Sequence, residues 1–261
     1  ELAKELGDVS GCVNYQLFLC NSGAEANENA LKLASFHTGK KKVIAFKNGF
    51  HGRTSAAVAV TDNAKIIAPI NAQQEIELFD LGDLQGVESA LSKNDVCAVI
   101  IECIQGVGGL DESSTSFYKK LLALCKKFEA ILIADEVQSG FGRTGHFFAF
   151  QKHKIKPDII SIAKGMGNGF PVGGTLIHPK IKPSLGLLGT TFGGNHLACM
   201  ASLTVLEVLK TEKLQDNAKK IFNYFKKKTQ SIPQVKSIKG RGLMLGLEFD
   251  FPVSELRKKL I

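Results

Sequence analysis

Lys164 closes the apolar run DIISIA and stands directly before Gly165, Gly167 and Gly169. An amine there can meet a reacting carbonyl, although a lysine in a glycine-rich turn also suits plain solvation. Asp135 and Glu136 end a second apolar run, AILIADE. A carboxylate leaving a buried strand is costly to desolvate unless it meets a cation or a donor. Asn21-Ser22-Gly23-Ala24-Glu25-Ala26-Asn27 joins a strand to a helix. Its small residues let backbone N–H groups approach a phosphate at the helix N-terminus, and the same string suits an ordinary serine N-cap. Phe50-His51-Gly52-Arg53 adds an aromatic face and a fixed cation. Together these parts make up the protein's share of pyridoxal-phosphate chemistry. The lysine forms a Schiff base, and the carboxylate keeps the pyridine nitrogen protonated so that the ring draws off electrons.

Competing chemistries find no support. There is no GxxxxGK(S/T), HExxH or GxSxG string. Gly165-Met166-Gly167-Asn168-Gly169 reads GxGxG, not the GxGxxG of nicotinamide binders, and carries the lysine in front. The six cysteines form no CxxC pair. They are expected to be buried free thiols in a reducing compartment, which places the chain in the cytoplasm and leaves no metal site.

The elements that must hold these residues alternate along the chain. Tyr15 to Cys20, Val43 to Phe46, Ser55 to Val60, Val96 to Cys103, AILIADE, DIISIAKG and GGTLIH read as strands. Amphipathic stretches near residues 25–36, 117–128, 197–209 and 214–229 read as helices, and VKSIKGRGLMLGLEFD reads as a hairpin. ELAKEL at the start is also helix-like. Such alternation means an α/β fold with a mainly parallel sheet, in which ligands bind beyond the carboxyl ends of the strands. The piece from about Leu214 onward reads as the beginning of a separate α+β unit.

With 261 residues, 44% of them hydrophobic, and 22% charged, the chain suits one or two globular domains and excludes disordered or collagen-like classes. No apolar run approaches the ~18 residues of a membrane span. Net charge is +8, yet the lysines are scattered, there is no Trp, and the 17 Phe do not interleave with basic clusters. A nucleic-acid partner is therefore not expected; an anionic small ligand fits the charge as well.

The strings NSGAEANE, FHGRT, IQGVGG, ADEVQSGFGRTG, IAKGMGNGFPVGG and TTFGGN occur in this order. They resemble the class III pyridoxal-phosphate aminotransferases and are most similar to the acetylornithine and succinylornithine group of arginine biosynthesis. The resemblance covers nearly the whole chain. It implies a fold type I large domain over residues 1–213, shortened at its N-terminus, and the start of a C-terminal small domain over 214–261.

It also implies roles for particular residues. Lys164 binds pyridoxal 5'-phosphate covalently and moves the α-proton, while Asp135 pairs with the ring nitrogen. Val137 packs under the ring, Phe50 covers its other face, and Gln138 reaches the phenolic oxygen. Gly23 and Ala24, with Ser22 beside them, hold the phosphate. Thr191 resembles the threonine that reaches the cofactor of a neighbouring subunit, which implies a homodimer with shared sites, and Thr190 resembles a substrate contact from that partner. Arg53 resembles the clamp for the substrate carboxylate, consistent with the match of a planar guanidinium to a carboxylate; the residues alone do not choose it over Arg143.

The implied reaction moves the δ-amino group of an N2-acylornithine, acetyl or succinyl, to 2-oxoglutarate and yields glutamate. The alternatives are a transaminase of free ornithine, 4-aminobutyrate or another ω-amine, or a fragment that keeps the fold without turnover. One departure bears on this choice. Most relatives carry a glutamate where this chain has Val107, and that glutamate resembles the gate that neutralises a C-terminal switch arginine in ornithine and 4-aminobutyrate enzymes.

Overall fold

The computed structural model describes residues 1–260. Helix α1 (Leu2–Ser10) precedes strand β1 (Gln16–Cys20), helix α2 (Gly23–Thr38), strand β2 (Lys42–Phe46) and a short helix α3 (Ser55–Ala59). Strand β3 (Ile76–Phe79), helix α4 (Leu84–Leu91), strand β4 (Val96–Ile101), helix α5 (Thr115–Lys127), and strands β5 (Ile131–Asp135), β6 (Ile159–Ile162) and β7 (Gly173–Ile177) follow. Helices α6 (His196–Thr211) and α7 (Leu214–Thr229), a hairpin of β8 (Ser237–Arg241) and β9 (Met244–Glu248), and α8 (Ser254–Leu260) complete the described chain.

Seven strands form one sheet in the order β1-β7-β6-β5-β4-β2-β3. Only β7 runs against its neighbours, and its antiparallel pairing with both β1 and β6 leaves β1 aligned with the rest. The expected α/β fold with a mainly parallel sheet is what the chain adopts. Alternate residues of the central strands feed two cores. Val99, Ile101, Leu132 and Ala134 pack with α1, α4, α5 and α6 residues such as Leu6, Leu91, Leu121 and Leu206. Ala98, Ile100, Ile131 and Ile133 pack with Ala30, Leu31, Leu33 and Ala34 of α2. Burial on both faces explains why these strands read as unbroken apolar runs.

The structure departs from the expected elements at Ser55–Ala59 and adds two between Thr61 and Asp95. Ser55 to Val60, expected as a strand, forms α3. A short apolar run does not distinguish strand from helix by periodicity, and here alanine's helix propensity prevails. The Glu28 carboxylate completes the turn by accepting from the Ala56 and Ala57 N–H groups and from the Thr54 hydroxyl. The stretch passed over between Thr61 and Asp95 contains β3 and α4, the latter capped by Asp83, whose side chain accepts from Gly86 N at 2.9 Å.

The hairpin β8–β9 forms a sheet of its own. Leu243 N donates to Arg143 O at 2.8 Å, Lys239 pairs with Asp111 at 2.8 Å, and Arg241 Nε donates to Glu112 at 2.9 Å. All six cysteines are free and five are buried. Among the described residues no helix is long and apolar enough to cross a membrane, and no cluster of ligand-type side chains could hold a metal ion.

Candidate active site

The carboxyl ends of β1, β2, β4, β5 and β6 open onto a cavity of about 490 Å³. Ser22 caps α2: its hydroxyl accepts from Glu25 N at 3.3 Å, while Glu25 Oε2 accepts from Asn21 N at 3.0 Å. The structural N-cap role is therefore met. Capping engages Glu25 N, and Ala26 N takes Ser22 O, so the N–H groups of Gly23 and Ala24 remain as the unpaired donors that every helix start presents. Gly23 also lies so close to Val137 that a Cβ would stand 2.5 Å from Val137 Cγ1. Only glycine lets α2 meet the loop after β5 there.

Asp135 ends β5 and is 4% exposed. Its Oδ2 accepts from Asn27 Nδ2 at 2.7 Å and lies 2.8 Å from His51 Nδ1, while Oδ1 accepts from Val137 N at 3.0 Å. Two donors fill Oδ2, and one lone pair remains on Oδ1. Burial would lower the basicity of His51, but its hydrogen bond to Asp135 and the charges of Asp135 and Glu102 more than reverse that and hold its pKa above the ordinary value.

Lys164 follows β6 and opens a one-turn 3-10 segment with φ of 48°, a left-handed conformation that costs a non-glycine residue free energy. Its Nζ lies 3.5 Å from Gln138 Oε1. The Gln138 amide is itself backed by Gly106, where any Cβ would collide with it. Glu102, beyond the end of β4, accepts from Phe50 N at 2.9 Å and from Gly106 N at 2.8 Å. One carboxylate thus ties the loop bearing Phe50 to the loop bearing Val107. Burial pushes Glu102 up to about 7, with His51 pulling the other way and Asp135 adding to the rise. The adjacent acid Glu136 is buried away from this cavity. It holds the backbone N–H groups of Ala149 and Phe150 and the Ser139 hydroxyl, and burial raises it to about 7.

Of the residues marked from sequence, Ser22, Gly23, Ala24, Phe50, Arg53, Asp135, Val137, Gln138 and Lys164 line this one cavity. Arg53 stands in solvent between the Phe50 loop and α3, whereas Arg143 is outside the cavity and lends its carbonyl to the hairpin. Thr190 and Thr191 are exposed on the segment between β7 and α6 and do not line the cavity. Thr190 Oγ1 is nonetheless 3.5 Å from Asn21 Nδ2, which puts it at the rim. Sequence reading missed Asn27, His51 and Glu102 as members of the site. A strand-end acid at Glu102 was a usable signal; Asn27 gave none beyond being an amide on the helix face that meets the sheet.

In this topology a lysine and a carboxylate stand at neighbouring strand ends above a bare helix N-terminus, all on one cavity. The family model described as Aminotransferase class-III matches residues 1–260, and the chain belongs to that family. It is similar to the acetylornithine aminotransferase of Methanosarcina acetivorans, at 38% identity over 97% of this chain and 64% of the relative. It is likewise similar to that of Bacillus subtilis, at 41% identity over 94% of this chain and 65% of the relative. The chain thus spans a little under two thirds of the length of these relatives. Among solved structures, an ornithine aminotransferase from Toxoplasma gondii, described with partial occupancy of PLP at its active site, superposes with a TM-score of 0.86 at 32% identity. That match covers 95% of this chain and 63% of the other. An S-selective transaminase from an Arthrobacter species shares the fold at TM-score 0.88 and 23% identity.

Proposed function

We propose that the chain is the cofactor-binding part of a pyridoxal-phosphate-dependent transaminase that moves the δ-amino group of an N2-acylornithine to 2-oxoglutarate, as in arginine biosynthesis. The observation that carries this reading is the convergence of Lys164 Nζ, the Asp135 carboxylate and the α2 N-terminus on one cavity. The donor set suits the cofactor. Unpaired N–H groups and positive helix dipole favour a phosphate at Gly23 and Ala24. The remaining lone pair of Asp135 Oδ1 suits a cationic ring N–H, and the apolar faces of Phe50 and Val137 suit a flat ring. When bound, pyridoxal phosphate supplies an electron sink for the substrate's amine-bearing carbon.

The chain's own residues do the rest. Lys164 Nζ carries the proton to and from that carbon, and Gln138 Oε1 helps to place the amine. Asp135 presents its carboxylate in a site shielded from water, where its electrostatic interactions are little screened. Arg53 takes the α-carboxylate of the substrate. Thr190 and Thr191 serve the site of a second copy in a homodimer, a reading supported by the exposed apolar side chains of Phe192, Leu197 and Met200 beside them. Residues 1–213 form the large domain and the remainder begins a small one, as the separate β8–β9 sheet suggests. Six free cysteines favour a reducing compartment, the cytoplasm.

Substrate choice rests on Val107. It is 66% exposed on the loop that Glu102 and Gln138 hold against the cavity. Valine there cannot neutralise an arginine that faces the distal end of the substrate, so a distal carboxylate is favoured over a free ammonium.

The test is to add pyridoxal phosphate, reduce with borohydride and map the labelled peptide. Label on Lys164 is the expected result. Label on another lysine, or none, overturns the assignment.

A further inference from the structure

The chain between β4 and α5 folds back on itself. Gln105 N donates to Asp111 O and Leu110 N donates to Gln105 O, each at 3.0 Å, so residues 105–111 form a loop closed by its own backbone. Val107 stands exposed on it. On the cavity side the loop is held at its foot, where Gly106 N donates to Glu102 Oε2 at 2.8 Å and Gln105 Nε2 donates to Lys47 O at 2.6 Å. Gly106 and Gly108 press against Gln138 and Asn48 too closely to admit a Cβ. A glycine contact of this kind blocks movement inward and does little to oppose movement outward, because it offers no side chain to attract. Among the described residues no backbone–backbone hydrogen bond holds Val107, Gly108 or Gly109. Restraint from outside comes from the β8–β9 hairpin. Lys239 and Arg241 are two residues apart on β8 and so project from one face. Lys239 Nζ donates to Asp111 Oδ1 at 2.8 Å, and Arg241 Nε donates to Glu112 Oε2 at 2.9 Å. Gly246, paired with Lys239 across the hairpin, faces Leu110: a Cβ there would stand 3.0 Å from Leu110 Cδ1. One rung of the hairpin thus grips two consecutive residues at the neck of the loop. Leu110 sits there with φ 63°, a left-handed conformation that surrounding contacts must maintain. The hairpin has its own anchorage after β5, where Arg241 Nη2 reaches Ala149 O at 3.4 Å and Leu243 N donates to Arg143 O at 2.8 Å.

We propose that Lys239 is a positioning residue: through Asp111 the hairpin braces the loop from behind and holds position 107 against the cavity, so that the hairpin takes part in the choice of amine donor. The brace stands on the contacts alone; its effect on donor choice rests on the transaminase reading. Lys239 does not line the cavity and acts through the loop. Its pair with Asp111 is partly exposed, 34% and 45% at the two side chains, so it adds little to overall stability. What it supplies is a fixed distance between the hairpin and a loop whose tip has few bonds of its own. The effect of breaking it is therefore local, at residues 105–111.

The test begins without cofactor. Hydrogen exchange read by mass spectrometry should show residues 105–111 exchanging at least about threefold faster in Lys239→Ala than in wild type, with β4, β5 and the hairpin strands unchanged. Lys239→Arg keeps a cation opposite Asp111 and should retain the protection. Loop exchange unmoved in Lys239→Ala, equally fast in Lys239→Arg, or raised throughout the hairpin overturns the proposal, whatever the chain binds. Should Lys239→Ala not fold, Asp111→Asn breaks the same pair from the loop side and the same outcomes decide. A second arm uses the complete enzyme and compares kcat/KM for N2-acetylornithine and free ornithine, with 2-oxoglutarate as acceptor. Val107→Glu is expected to shift preference toward ornithine. Adding Lys239→Ala should shrink that shift at least about threefold, because the new carboxylate is no longer held at the cavity. Full additivity of the two substitutions overturns the positioning role. If the enzyme transfers no amine, or Val107→Glu alone gives no shift, the transaminase reading or its Val107 assignment fails while hydrogen exchange still decides the brace.

Discussion

Gly23 and Val137 touch so closely that the first turn of α2 and the loop after β5 form one continuous wall of the cavity. In the proposed function that wall joins the phosphate-binding N–H groups to the residue under the ring. A methyl group at Gly23 must push the two apart, at a cost typical of overpacking, about 1–3 kcal/mol. Gly23→Ala should therefore weaken pyridoxal-phosphate binding by about tenfold or more, read by equilibrium dialysis. Unaltered affinity would show that phosphate and ring are held independently.

Lys164 combines the reactive amine with a left-handed backbone, φ 48°. Lys164→Ala should remove the borohydride-fixed label yet leave the fold, because the side chain is exposed. Lys164→Gly should lose the label too and melt higher than Lys164→Ala. Relief of about 1 kcal/mol of left-handed strain corresponds to roughly 2–4 °C in a chain of this size. Equal melting temperatures would mean the strain is not stored there.

Asp135→Asn removes the buried charge while keeping the shape. In the complete enzyme the single-turnover rate of proton removal should drop by ~3 kcal/mol or more, as for other buried electrostatic groups. A loss of less than about tenfold (~1.4 kcal/mol) would place the electron-withdrawing role elsewhere.

Glu112 meets Lys152 Nζ at 3.0 Å, His153 Nε2 at 3.2 Å and Arg241 Nε at 2.9 Å. Burial would raise its carboxyl, but His153, Arg241 and Lys152 outweigh that and hold it down at about 2, against an ordinary 4.5. A folded value below the unfolded one means that its stabilisation is complete above about pH 4.5 and disappears as pH falls toward 2. After allowance for screening this amounts to about 2 kcal/mol. Glu112→Gln should lower the melting temperature at pH 7, and the gap from wild type should close on acidification. A gap independent of pH would assign the loss to packing.

In the proposed function Val107 sets the preference among amine donors. The complete enzyme should prefer N2-acylated ornithine to free ornithine, with N2-succinylornithine matching or exceeding N2-acetylornithine in kcat/KM with 2-oxoglutarate as acceptor. Val107→Glu should shift preference toward free ornithine. A wild-type preference for ornithine, or no shift in the variant, contradicts this assignment.

The strand-end positions of Asp135 and Lys164 were legible because buried parallel strands announce themselves as apolar runs and their polar ends stand out. Arg53 was legible only through resemblance, since an arginine on a loop has many ordinary uses and Arg143 looked equivalent. His51 stands out in its string only as a neighbour of Phe50 and Arg53. Its meaning comes from a carboxylate 84 positions away, a relation that no local pattern contains. The error at α3 has a similar origin: what makes Ser55–Ala59 a helix is Glu28, a residue of α2. The half-buried edge strand β3 lacked the apolar run that reveals the central strands.

Strand β1 pairs only with β7, roughly 160 residues later. During synthesis this places a waiting period in the life of the chain. The β1–α2 corner, with its bare N–H groups, has no strand partner until Ile177 has been made. Closing a loop of that length carries an entropic cost, and pairings so distant in sequence are expected to form slowly. The antiparallel strand thus acts as a clasp that joins the β1–α2 corner to the rest of the sheet, and in the proposed function binding competence is expected to wait for it.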